Sequence, residues 1–97
     1  MARLYITEYT AFGTAKGDTP LGNEPGIDQT PLTVGTVVTS AAFGPDTIGI
    51  RVHTDAICSV QVGANPVATT DSKRMAANAT EYFGVKPGHK LSVIANT

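Results

Sequence analysis

Residues 51–94 read RVHTDAICSVQVGANPVATTDSKRMAANATEYFGVKPGHKLSVI, and this stretch decides the fold class. Short apolar-rich runs alternate in it with turn-forming segments. The run at 47–54 (TIGIRVHT) leads into it with the cleanest alternation in the chain: Ile48, Ile50 and Val52 are expected to face a core, and Gly49, Arg51 and His53 to face outward. Asp55 interrupts, and residues 56–62 (AICSVQV) resume with Ala56, Cys58, Val60 and Val62 on one side. That parity makes Cys58 a small buried hydrophobe. Residues 63–74 (GANPVATTDSKR) form a polar connection whose turn signal is Asn65-Pro66. Residues 75–78 (MAAN) read as a short edge segment, and 80–85 (TEYFGV) as a strand carrying Tyr82 and Phe83. In Lys86-Pro87-Gly88-His89, Pro at the second position and Gly at the third specify a type II turn. Residues 90–95 (KLSVIA) supply the last strand.

The N-terminal half is less regular. Residues 4–9 (LYITEY) alternate, with Leu4, Ile6 and Glu8 on one face and Tyr5, Thr7 and Tyr9 on the other, and their β-branched and aromatic content predicts a strand. Residues 11–26 (AFGTAKGDTPLGNEPG) keep no apolar period and read as a long loop, a feature that often carries a contact function. Residues 30–40 (TPLTVGTVVTS) predict a strand broken or bulged near Gly35. Residues 41–46 turn at Gly44-Pro45. No segment sustains helical spacing, although 71–79 has room for one helical turn. The expected architecture is a single all-β domain spanning 1–97, with about seven or eight short strands and a long N-terminal loop. It is a small antiparallel β-sandwich, jelly-roll or Ig-like, or else a closed barrel.

The totals narrow the function. Net charge is −1 and the charged fraction 15%, against ~25% in ordinary globular chains. Such a surface lacks the cationic charge on which nucleic-acid binding depends, so no DNA or RNA partner is expected. A weakly charged surface also associates readily, which favours an oligomer. Cys58 is the only cysteine; it makes no internal disulfide, as suits a chain made in a reducing cytoplasm. No basic segment followed by an apolar one opens the chain, so no signal peptide is expected. No apolar run approaches the ~18 residues of a membrane span.

Reaction chemistry finds little to build on. His53 and His89 lack partners at ligand spacing, the nearest acids in sequence being Asp55 and Glu81, and both read as surface histidines. Cys58 lies mid-strand on an apolar face, where its thiol is protonated and inert. No serine sits in a G-x-S-x-G elbow, and Asp46, Asp55, Asp71 and Glu81 are scattered singly. Gly13 to Gly17 lacks the phosphate-loop pattern. No catalytic, cofactor or metal residue is therefore assigned, and no enzyme is expected. A surface role remains. Tyr5, Tyr9, Phe12 and Phe43 lie outside the tidy core pattern, either as interface aromatics or packed beneath the long loop.

From Ile50 onward the chain resembles small virion proteins of tailed phages and prophages. The shared pattern is carried by Ala56 and Cys58; by Gly63, Asn65, Pro66, Ala68 and Thr69; by Ala77 and Asn78; by Glu81, Tyr82, Phe83 and Val85; by Pro87, Gly88 and Lys90; and by Val93 and Ile94. The opening MARLYITEY is similar to the start of such proteins, whereas residues 12–26 match no motif. The resemblance implies a structural protein without catalytic residues, made in a bacterial host cytoplasm and placed on the capsid surface of the virion. There it would act as a decoration, or cement, protein that binds the major capsid protein lattice, as a trimer or another cyclic homo-oligomer. A tail, neck or fibre-associated component is the alternative, and a carbohydrate-binding surface module is a third. The residues expected to touch the partner are Tyr5, Tyr9, Phe12, Lys16, Lys73 and Arg74.

Overall fold

The computed structural model describes residues 2–15, 19–22 and 25–96, with backbone only for 12–15 and 19–22. Every element among them is a strand. In chain order these are β1 (Arg3–Tyr9), β2 (Phe12–Ala15), β3 (Thr19–Gly22), β4 (Ile27–Asp28), β5 (Leu32–Thr33), β6 (Val38–Thr39), β7 (Gly49–Thr54), β8 (Cys58–Gly63), β9 (Lys73–Met75), β10 (Thr80–Gly84) and β11 (Lys90–Ala95).

Two antiparallel sheets form a sandwich. Sheet 1 runs β10-β7-β1-β4, with β5 also paired to β1; sheet 2 runs β6-β11-β8-β9. Each sheet keeps its own edges, so the architecture is a sandwich and the closed-barrel alternative falls away. The parity rule sets the inner faces: Leu4 and Ile6 from β1 and Ile50 and Val52 from β7 meet Cys58 and Val60 from β8 and Leu91 and Val93 from β11, with Met75 and Phe43 closing the core. Burying side chains of this size stabilises by roughly 1.5–3 kcal/mol each. Phe43, ambiguous in the sequence, is core.

Several turns form where their chemistry places them. Gly88 has φ +80°, as the third position of a type II turn requires, and the His89 N–H donates to the Lys86 carbonyl at 3.2 Å. Gly44-Pro45 also turns, with the Thr47 N–H donating to the Gly44 carbonyl at 3.2 Å.

Other details differ from the sequence reading. The segment over 30–40, expected as a strand broken or bulged near Gly35, does break there, but its two parts enter different sheets. Its first part, β5, joins sheet 1 against β1, and its second part, β6, joins sheet 2 against β11. The break is a crossover between layers. Residues 11–26, expected as a loop, contain a backbone hairpin in which Phe12 pairs with Gly22 and Ala15 with Thr19; its glycines and Pro20 hide the strand period. Residues 71–79 form no helical turn, because β9 pairs with β8 there. Ile48, expected to face the core, is 50% exposed. Its backbone still bonds Tyr9 and Val85, but the side chain overhangs the end of the sandwich beside Val62 and Val85.

One acid sits inside. Glu8 continues the inward parity of Leu4 and Ile6 and is buried. Its Oε1 accepts from the Gly44 N–H and the Thr47 hydroxyl, each at 2.7 Å, and its Oε2 from the Gln29 amide at 2.9 Å. Hydrogen bonds to a charged group contribute about 1.5–3 kcal/mol each, so this carboxylate fastens the turn after Phe43 to β1.

Candidate functional site: the outer face of sheet 1

The outer faces of the two sheets are treated differently by the chain. On sheet 2, Ser59 and Ser92 project away from the core, yet both are fully buried. The connection between β8 and β9 folds over them. The Ala68 N–H donates to Ser92 Oγ at 2.9 Å, and the Ser72 hydroxyl donates to Gln61 Oε1 at 3.3 Å. Asn96 ties this layer down by donating to Ser59 Oγ at 2.7 Å and to the Thr70 carbonyl at 3.0 Å. Pro66 and Ala68 are buried under the strap they belong to.

Most of the outer face of sheet 1 lies open. Cross-strand register aligns Tyr82, Arg51, Thr7 and Asp28 in one row over β10, β7, β1 and β4. A neighbouring row holds Thr80, His53 and Tyr5. Tyr5 and Tyr82 are each 39% exposed, and Arg51 and His53 are half-buried. Polar contacts within the rows fix their neighbours. The Thr7 hydroxyl donates to Asp28 Oδ1 at 2.7 Å, and His53 Nδ1 shares a hydrogen with the Thr80 hydroxyl at 2.8 Å. His53 Nε2 stands 3.8 Å from Asp55 Oδ1, and its ring centroid is 6.4 Å from that of Tyr5. Tyr5, Thr7, Asp28, Gln29, Pro31, Arg51 and His53 line a shallow depression of about 440 Å³. Among the described residues, Arg51 pairs with no carboxylate.

The structure separates the residues expected to touch a partner. Tyr5 lies on the open face, as expected. Tyr9 is corrected: it is only 4% exposed and lacks the accessibility expected of it. It stands opposite Gly49 at the end of β1, with Gly26 so close that a Cβ there would lie 2.9 Å from its ring. Phe12 is in the hairpin backbone, its side chain outside the described residues, and Lys16 also lies outside them. Lys73 lies in edge strand β9 opposite Val60, so its side chain turns inward along the open side of the sandwich. Its ammonium lies 3.4 Å from Glu81 Oε1 and 4.6 Å from the Phe83 ring centroid, bridging the edges of the two sheets. Arg74 is exposed on β9 opposite Ser59, in sheet 2 and apart from Tyr5.

Arg51, His53 and Tyr82 were not expected as contacts. The outward parity of Arg51 and His53 was legible, but their alignment with Tyr5 and Tyr82 depends on β7 lying between β1 and β10. Among the described residues, no three His, Cys, Asp or Glu side chains group as metal ligands. Cys58 is buried, and burial first, then the negative charge of Glu81, raises its thiol above the ordinary 9.0, while the Thr54 hydroxyl beside it works the other way. Compared with protein-family models, curated proteins and solved structures, the chain matches none.

Proposed function

We propose that this chain is a non-enzymatic structural component of a bacteriophage virion, a capsid decoration protein that binds the assembled lattice of the major capsid protein. The observation that carries the reading is the open, tyrosine-bearing outer face of sheet 1 on a sandwich whose other outer face is covered at its centre by its own chain. Tyr and Arg are the side chains that dominate protein interfaces. The resemblance of residues 50–94 to small virion proteins supplies the biological setting. A ligand that binds only the assembled state shifts the assembly equilibrium toward it, and many copies on a symmetric lattice multiply individually weak contacts. Cyclic homo-oligomers on the lattice fit the low charge of the chain.

The test is the copy number of this protein per purified virion, measured by quantitative mass spectrometry against the major capsid protein. Hundreds of copies, commensurate with the lattice, are expected. On the order of a dozen would move the protein to the tail or neck, and absence from the particle would overturn the virion reading.

A further inference from the structure

The geometry points to a protein segment bearing a single exposed carboxylate as the occupant of the open face, with that carboxylate received by Arg51 between Tyr82 and Thr7 and with Tyr5 supplying apolar area. This deepens the reading of the chain as a docking module and rests on it. Arg51 occupies a central position in the four-strand row, with Tyr82 and Thr7 as its direct cross-strand neighbours. It is half-buried, and among the described residues it pairs with no carboxylate. A planar guanidinium so placed matches a carboxylate, which it can bind through two parallel hydrogen bonds.

The surrounding charges decide which anion fits. Asp28 closes one end of the row, its carboxylate fixed by Thr7, and Asp55 lies beside His53 at the margin. Two acids at the rim repel an extended polyanion such as a nucleic-acid backbone. They still admit one carboxylate at Arg51, which is central in the row. The flanking tyrosines suit a protein surface, since each offers a ring for packing and a hydroxyl for a hydrogen bond.

The test is a nuclear magnetic resonance titration of the full chain with a soluble peptide carrying one Glu among Ala, Ser and Gly residues, its Gln-for-Glu counterpart, and a neutral dextran oligosaccharide. The Glu peptide is expected to shift the amides of Tyr5, Thr7, Arg51 and Tyr82 and to leave Ser59, Gln61 and Thr70 in place. Binding should weaken about tenfold for the Gln peptide and for Arg51→Gln. Arg51→Lys, which keeps the charge and loses the fork, should fall between. Arg74→Gln, on the other sheet, should bind as the parent does. Shifts spread equally over both faces, or an equal loss with Arg74→Gln, would reduce the effect to general charge attraction and overturn the proposal. So would dextran binding at this face that is indifferent to Arg51→Gln, which would make it a glycan site. Concentration-dependent shifts of the same amides without peptide would overturn it in favour of a second copy of the chain. Virion copy number speaks only to the particle and this titration only to the face and its chemistry, so either reading can fail alone.

Discussion

The two outer faces of this sandwich begin from similar backbones and end differently. Sheet 2 carries small hydroxyl residues outward, Ser59 and Ser92, and the chain returns over them with Ala68 and Pro66 pressed beneath. Sheet 1 carries Tyr5, Tyr82, Arg51 and His53 outward, and these stay accessible over most of the face. Serines leave room for a strap and give its backbone something to bond. Large amphipathic side chains leave no such room and present area to another molecule. One face therefore serves the fold, and the other is available for a partner.

The largest expected effect breaks the packing of the strap over sheet 2. Ala68→Asp would place a carboxylate where a methyl group is fully packed, and burying an unpaired charge should cost at least 3 kcal/mol. Tyr82→Asp on the open face should stay within about 1 kcal/mol. Urea unfolding of the two variants compares the faces directly, and equal losses would erase the distinction. Next, Ser92→Ala removes the acceptor of the Ala68 N–H and leaves a buried donor unpaired, for an expected loss of about 1–3 kcal/mol. Faster amide exchange confined to the strap and to β11 would accompany it.

The edge between the faces gives a smaller effect. The Lys73 to Glu81 pair is largely solvated, and exposed ion pairs contribute about 0.2–1 kcal/mol; the contact over Phe83 adds roughly 0.5–1 kcal/mol. Lys73→Ala should therefore cost about 1 kcal/mol, less at high salt. An inward-turned lysine on an edge strand also discourages edge-to-edge pairing, so Lys73→Val should raise the sedimentation-measured fraction of oligomers.

The smallest effect is one of pH. The folded Cys58 thiol is raised above its ordinary 9.0, so the folded state holds that proton longer than the unfolded state does. Its contribution to stability is complete below pH 9.0 and is lost as pH rises through the folded value. The thermal midpoint should fall more steeply above pH 9.0 in the parent than in Cys58→Ala, and identical slopes would contradict the burial of this thiol.

Much of the fold was legible because local chemistry determines it. The alternation in β1, β7, β8 and β11, the type II turn at Gly88 and the buried Cys58 all follow from side-chain parity and turn geometry within a few residues. What was not legible depends on strand order. Tyr9 shares its parity with Tyr5, yet it is buried at the end of β1, with Gly26 close to its ring and Gly49 opposite. Lys73 looked like a loop cation until β9 turned it toward Glu81. Residues 30–40 show a break at Gly35, but nothing local states that its two sides belong to different sheets. The open face itself joins residues from both halves of the chain, which no single window of sequence contains.

Hydroxyl-radical footprinting of the free protein and of the protein on purified particles tests the central claim most directly. In the free protein Tyr5 and Tyr82 should react readily and Tyr9 and Met75 should not; on the particle Tyr5 and Tyr82 should become protected while Val67 in the strap over sheet 2 stays reactive. Tyr5 and Tyr82 remaining fully reactive on the particle, with protection appearing at Val67 instead, would contradict the account and place the partner on the opposite face.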